Sequence, residues 1–278
     1  KKCTSLEFVS ISSSVLSIGS SAFNECCSLN EIEIPSSVKE IGSCCFTNCT
    51  NIERFVIPSS VEEIGIYIFD GCSSLKEIEI PLSIKEIGIS FFENCTSLKE
   101  IIIPSSITLI GSYSFSGCSS LEEILIPNSV TTIGSYAFYK CSLLKEIKIP
   151  SSVNSIGGNA FSDCISLTDI FIPSSVKSIG PFAFNKCTSL IQIEIPSSLS
   201  SIEEFLLSEC SNLVNVTIPN SITSIQKGAF NGCSSLSDIE IPSSVIFIGD
   251  EVFKDCSSLK KIKIPSSVTC VGNCAFSG

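Results

Sequence analysis

Residues 26–49 read C-C-S-L-N-E-I-E-I-P-S-S-V-K-E-I-G-S-C-C-F-T-N-C, and the phrase returns every 23 residues along the chain. Eleven of the twelve prolines keep that step, from Pro35, Pro58 and Pro81 to Pro265, and only Pro181 is off it. Twelve of the 17 cysteines keep it too, from Cys3, Cys26 and Cys49 to Cys256. The length of 278 residues is close to 12 × 23 = 276. Length alone would suggest two domains, but a fixed period of this size signals a solenoid of stacked units.

The spacing inside the unit gives each residue a place. Ile32-Glu33-Ile34 alternates apolar and polar, the period of a half-buried strand. Pro35 lacks an N–H and fixes φ, so the strand ends there. Ser36 and Ser37 turn the chain, and Val38 and Ile41 bring a second apolar pair inward on a short extended segment. Gly42 is expected to break that segment at positive φ. The residues around Phe46 make a tight turn or a single helical turn before Cys49. One such coil cannot bury both its faces, so stacked coils bury aligned Leu, Ile, Val, Phe and Cys columns. Twelve coils at about 4.8 Å each give a rod or arc about 55–60 Å long. Known α-helical repeats have longer units, and Ile-x-Ile-Pro does not suit a helix interior.

The phrases L-x-x-I-x-I-P and V-x-x-I-G-x-x-A-F-x-x-C carry a resemblance. Good instances are Leu75 to Pro81, Leu121 to Pro127 and Val130 to Cys141. The chain resembles the BspA-type (Treponema pallidum-type) leucine-rich repeat family along essentially its whole length. The resemblance implies a right-handed, mostly β leucine-rich-repeat solenoid with short turns or one-turn helices and a parallel sheet on one face. It also implies kinship with surface and adhesion proteins that bind host or matrix proteins. Two units depart from the pattern: Glu203 and Gln226 take the glycine column, and Leu207 takes the phenylalanine column. A local irregularity, such as a change of curvature, is expected there. Neither end carries the polar face of a capping repeat. The 278 residues are therefore read as a single solenoid, 1–278, that is a fragment of a longer array.

Composition excludes several functions. There is no histidine, which removes imidazole-dependent nucleophile pairs, general bases and zincin-type sites. The net charge of −11 argues against nucleic acid and against an anionic membrane surface. Mean hydropathy is +0.44, yet no apolar run approaches the ~18 residues of a spanning helix. No phosphate loop, nucleophile elbow or metal motif is present, and the repeated Ser36-Ser37 pairs are turn residues. A non-catalytic chain with no cofactor is expected.

The cysteine column places one thiol per coil at one corner. It is read as a ladder of small buried hydrophobes. Disulfides between adjacent coils are within Cα range, though parallel side chains make them awkward. Zinc is disfavoured, because a straight column supplies no tetrahedron. Cys27, Cys44, Cys45, Cys270 and Cys274 lie off the ladder; Cys45 takes the alanine column and belongs to the core, whereas Cys44 and Cys274 take an exposed column. So many cysteines without a bridge pattern favour a reducing, cytoplasmic setting. The family resemblance points instead to the cell surface or secretion. Three N-x-[S/T] sequons, at Asn48, Asn94 and Asn215, do not decide between them.

Once the core columns are assigned, the residues flanking the strand isoleucine point outward. One outward column holds Glu77, Glu100, Glu123, Glu146 and Asp169. Like charges on neighbouring strands repel, and Lys76, Lys99 and Lys145 are expected to reach these carboxylates. The column is read as a charge-compensated stripe, or as an acidic strip for a basic partner or a weak divalent cation. The next outward column holds Ile102, Leu125, Lys148 and Phe171. Apolar residues rimmed by charge mark protein-binding sites. On the opposite side, Tyr67, Tyr113, Tyr136, Phe182 and Phe205 form a column read as packing. The chain is thus expected to be an interaction scaffold whose sheet face binds a protein partner. The alternative is a structural component that packs side by side or end to end.

Overall fold

The computed structural model describes residues 3–278. The chain winds as a right-handed solenoid of short strands and turns. A typical coil has a three-residue strand, as at Glu146–Lys148, and a two-residue strand, as at Ser155–Ile156. Every strand pairing is parallel and joins residues 23 apart, for example Ile147 with Ile170 and Ile156 with Ile179. Eleven steps of 23 residues separate Ser17–Ile18 from Cys270–Val271, so the chain closes eleven turns where the sequence count is twelve units. Of the two corner geometries expected, the tight turn is the one formed: hydrogen-bonded turns surround each phenylalanine, and the described residues contain no helical turn.

The two strand series behave differently. The three-residue strands pair only two at a time. The two-residue strands, expected only as a short extended segment, form the longer ladders. One has three strands (Ser17–Ile18, Glu40–Ile41, Glu63–Ile64). One has five, from Glu86–Ile87 through Leu109–Ile110, Thr132–Ile133 and Ser155–Ile156 to Ser178–Ile179. One has four, from Ser201–Ile202 to Cys270–Val271.

The glycine column explains this continuity, and it corrects the expectation for Gly42. Gly42 is not in the left-handed region. Glycine is required because the backbones of successive coils touch there. A Cβ on Gly42 would fall on the backbone of Ser20, and one on Gly111 would lie 2.7 Å from the Gly88 carbonyl carbon. In this contact Gly111 N–H donates to the Ile87 carbonyl at 2.7 Å, and Gly134 N–H to that of Ile110 at 2.8 Å. The ladder breaks at two places, between Ile64 and Ile87 and between Ile179 and Ile202. Among the described residues no such bond runs from Gly88 to Ile64 or from Glu203 to Ile179. Gly88 has no backbone in contact range other than Gly65 O at 3.8 Å, and Glu203 replaces glycine outright. Each break also carries a large residue in the small-residue column. Phe91 is fully buried with its ring 5.9 Å from Phe69, and Leu206 is buried at the second break. These side chains occupy volume that alanine leaves free at Ala137, Ala160 and Ala183, while the corner bonds beside them stay closed, Phe69 N–H to the Phe91 carbonyl and Phe184 N–H to the Leu206 carbonyl, both at 3.0 Å.

The corner is built from backbone that the residue types do not advertise. Two residues per turn adopt positive φ, as at Tyr136 (58°) and Lys140 (58°), or Tyr113 (59°) and Gly117 (73°). Non-glycine residues resist this conformation by roughly 1–2 kcal/mol. Hydrogen bonds to the next coil offset it: Tyr136 N–H donates to the Gly158 carbonyl at 2.9 Å and Lys140 N–H to Ser162 at 2.9 Å. Beneath the corner the phenylalanine rings stack, Phe115 on Phe138 at 5.3 Å and Phe138 on Phe161 at 5.4 Å.

The cysteines are not a ladder of inert hydrophobes. In the repeating column from Cys49 to Cys256 each thiol donates to a backbone carbonyl 26 residues earlier: Cys49 to Phe23 and Cys118 to Phe92, both at 3.1 Å, and Cys233 to Leu207 at 3.2 Å. That carbonyl already accepts the N–H three residues on in its own coil, as Phe92 does from Cys95 at 3.1 Å, and the thiol adds a second donor from the next coil. All 17 cysteines are free, and Cys3, Cys270 and Cys274 are exposed. Burial pushes the Cys45, Cys49, Cys118 and Cys210 thiols up from 9.0 to about 12. The turn serines also tie coils together, as Ser152 Oγ donates to the Val130 carbonyl at 2.6 Å. Ser129 in the same column is buried with no partner.

Four outcomes are expected. Gly134→Ala should destabilise the fold by about 1–3 kcal/mol, because its Cβ meets the Ser112 backbone. Gly88→Ala should leave stability unchanged or raise it by up to about 1 kcal/mol; urea midpoints compare the two. Ser152→Ala should cost about 1 kcal/mol and Ser129→Ala close to nothing, which the same titration reads. Native protein at pH 8 should label at Cys3, Cys270 and Cys274, with the buried column reacting only after denaturation. The thiols whose values are raised from 9.0 to about 12 stay protonated in the fold while the unfolded chain ionises. Their contribution is therefore whole below about pH 9 and lost between pH 9 and 12, and urea midpoints should fall across that window.

Candidate functional site

The three-residue strands point their central residue inward and both flanks out. In Glu146–Lys148 and Asp169–Phe171 the pattern is exposed, buried, exposed. Stacking with a 23-residue register therefore lays two parallel outward rows across the coils. One row is Glu77, Glu100, Glu123, Glu146 and Asp169, and the structure pairs Glu146 directly with Asp169. The other row runs Ile102 to Leu125 to Lys148 to Phe171, each paired with the next. Ile102 is 86% exposed, Leu125 73% and Phe171 65%, unusually open for large apolar side chains.

The two rows face a common shallow groove of ≈ 830 Å³. It is lined by all nine residues singled out from the sequence, together with Lys76 and the buried isoleucines between the rows. Ile191 (50% exposed) and Val214 (39%), the apolar residues of the flanking column, lie outside it. The groove spans the five coils whose two-residue strands form the uninterrupted five-stranded ladder. The ladder on the adjoining face of these coils is thus the longest in the solenoid, with a break at each end, while the floor strands themselves pair two at a time or through single bridges. Only the packing shows that boundary; Phe91 and Leu206 were its sequence signal, as large residues in a small-residue column.

The electrostatics differ from the expected stripe of neutralised pairs. Lys76 Nζ reaches Glu53 at 2.8 Å and Lys145 Nζ reaches Glu122 at 3.3 Å, each 23 residues earlier on the preceding coil and in the lysine's own column, beside the acidic row. Arg54 takes Glu79 at 2.8 Å and Glu77 at 3.7 Å. The lysines lie at the strand entry, where the nearest carboxylates belong to Glu53 and Glu122 rather than to the groove row. Among the described residues Glu100, Glu123, Glu146 and Asp169 have no ion-pair partner, and neither has Lys148. No cluster of three or more His, Cys, Asp or Glu among the described residues has metal-binding geometry.

The aromatic column on the far side is packing of a particular kind. Tyr113 stacks on Tyr136 at 4.6 Å and Phe182 on Phe205 at 4.8 Å, all four at positive φ in the corner turns. The sequons are exposed; Asn48 and Asn94 occupy corner turns and Asn215 the sheet face.

Comparison with known proteins agrees with this architecture. The pattern described as a BspA type leucine rich repeat region (6 copies) matches residues 1–122, 69–187, 108–237 and 155–278. A leucine-rich repeat protein of Bacteroides ovatus is 30% identical, with a TM-score of 0.86, over 100% of this chain and 77% of that one. A leucine rich cell surface protein of Faecalibacterium prausnitzii is 30% identical, with a TM-score of 0.54, over 90% of this chain and 83% of that one. A leucine-rich repeat protein of Eubacterium ventriosum is 25% identical, with a TM-score of 0.68, over 99% and 83%. No curated protein matches the chain. The 23-residue coil, its parallel register and its agreement with the repeat pattern from end to end place this chain in the BspA-type leucine-rich repeat family.

Proposed function

We propose that the chain is a non-catalytic interaction scaffold of adhesion type that binds a protein partner through its sheet face. The observation that carries this reading is the groove itself. Ile102, Leu125 and Phe171 stand exposed on three of its five coils, beside carboxylates that the fold leaves unpaired. An exposed apolar row with a charged rim is the composition of a protein-binding patch. Nothing in the core calls for these side chains, because the neighbouring inward positions Ile101, Ile124 and Ile170 already fill it. Other coils place Glu33, Glu79 and Glu194 at the same outward position. The binding residues of this reading are Ile102, Leu125, Lys148 and Phe171 with Glu77, Glu100, Glu123, Glu146 and Asp169. A cell-surface or secreted location accords with the Faecalibacterium relative, which is a cell surface protein.

The triple substitution Ile102→Ser, Leu125→Thr, Phe171→Ser tests the reading. Cells or beads displaying the wild-type chain are compared with the variant for adherence to immobilised extracellular-matrix and host-surface proteins. Circular dichroism and the urea midpoint should be unchanged, since all three side chains are exposed. Adherence should fall by about tenfold or more, as expected when the central apolar anchors of a patch are removed. Wild-type adherence by the folded variant would remove the sheet-face site.

A further inference from the structure

The groove's two rows constrain the shape and charge of what they bind, and this inference rests on the sheet-face reading above. We propose that the groove receives a basic amphipathic helix lying across the strands. Three features of the site lead to it.

The first is uncompensated charge in a fixed array. Glu100, Glu123, Glu146 and Asp169 stand on consecutive coils, and no lysine or arginine pairs with any of them among the described residues. Their register is set by backbone pairing, shown directly between Glu146 and Asp169, so the stems of the like-charged side chains stay on neighbouring coils. Two of the neighbouring lysines are engaged elsewhere, Lys76 with Glu53 and Lys145 with Glu122, and Lys99 and Lys148 form no ion pair with the row among the described residues. A row of cations supplied from outside would relieve the repulsion. The row has ends: Arg54 neutralises Glu77 on one side, and Gln192 replaces the acid on the other.

The second is spacing. Neighbouring strands lie about 4.8 Å apart, so the four carboxylates span three steps, or about 14 Å. Residues three or four apart on an α-helix advance about 4.5–6 Å along its axis. Lysines or arginines at that spacing meet successive carboxylates one for one. An extended strand in the same orientation presents same-face side chains about every 6.6 Å and falls out of step after two coils.

The third is the second row. Ile102, Leu125 and Phe171 stand two residues along the strand from the acids, about 6.6 Å away. That offset suits an apolar stripe on the helix adjacent to its basic stripe. Lys148 interrupts the apolar row between Leu125 and Phe171 and has no ion-pair partner among the described residues. It selects for one acidic residue within the helix's apolar stripe and so fixes direction and register. The same five coils carry the continuous five-stranded ladder on their adjoining face, which fixes the register of the rows before binding.

The test uses the protein as it stands and three synthetic peptides of equal composition. In one, lysines recur at i, i+3 or i+4 with leucines one position on. In the second, lysine and leucine alternate with a period of two. The third is the first with its order scrambled. Fluorescence anisotropy reads binding, and circular dichroism at 222 nm reads helix gained by the peptide. The helical-pattern peptide should bind at least about tenfold tighter than both others, gain helicity on binding, and weaken as salt is raised. Glu123→Gln with Glu146→Gln should weaken it about tenfold without altering the fold. The charge-reversed pair, Glu123→Lys with Glu146→Lys, should abolish it. Tighter binding by the alternating peptide, equal binding by all three, or indifference to both double variants would overturn the proposal. Failure of the helical peptide while the Ile102, Leu125 and Phe171 substitutions still abolish adherence would sink the helix alone. Failure of both would sink the sheet-face reading as well.

Discussion

The backbone of each coil rests directly on the backbone of the one before it, and that contact organises the molecule. At Gly42, Gly111 and Gly134 no side chain separates successive coils, and the glycine N–H bonds the isoleucine carbonyl beneath it. Such a contact has no slack: either the column is glycine and the ladder continues, or it opens. It stays closed through the five coils from Glu86 to Ile179 and opens where Phe91 and Leu206 add volume nearby. Two coils depart from this rule and show that the contact is local: Gly88 keeps glycine although the ladder opens there. Gln226 replaces glycine yet still bonds Ile202 at 2.8 Å, on a coil that rests on Glu203 rather than on glycine.

Every other column completes the stacking by satisfying backbone groups. The thiols and turn serines donate to carbonyls of the preceding coil, and the left-handed corner residues donate to the following one. A solenoid with two-residue strands has few ladder bonds, so its orphan carbonyls need side-chain partners. That requirement accounts for the turn serines, whose hydroxyls reach carbonyls such as that of Val130. Cysteine is small enough for the corner and adds a second donor, from the next coil, to a carbonyl already bonded within its own coil.

The groove depends on this scaffold in two ways. Fixed register turns sequence columns into straight rows, so residues 23 apart become neighbours across about 4.8 Å. The uninterrupted ladder on the adjoining face then keeps the rows aligned over five coils. Much of the site was legible in the sequence, because period and alternation identify every outward residue. All nine residues assigned from columns do line one concavity. The ion pairing was not legible. Lys76 and Lys145 sit next to the acids in sequence, but their long side chains run along the stacking direction to Glu53 and Glu122. Neighbourhood in a solenoid is set across coils as much as along them.

The sequence by itself determined the period, the parallel stack, the identity of the core columns and the outward rows, since each follows from spacing alone. Tertiary structure decided why glycine, cysteine and serine recur, where the ladder opens, and which carboxylates stay unpaired. Those outcomes depend on distances between backbones of different coils. A Cβ meeting a carbonyl, a thiol finding an acceptor 26 residues back and a lysine choosing between two glutamates are all settled by that approach, which no single repeat contains.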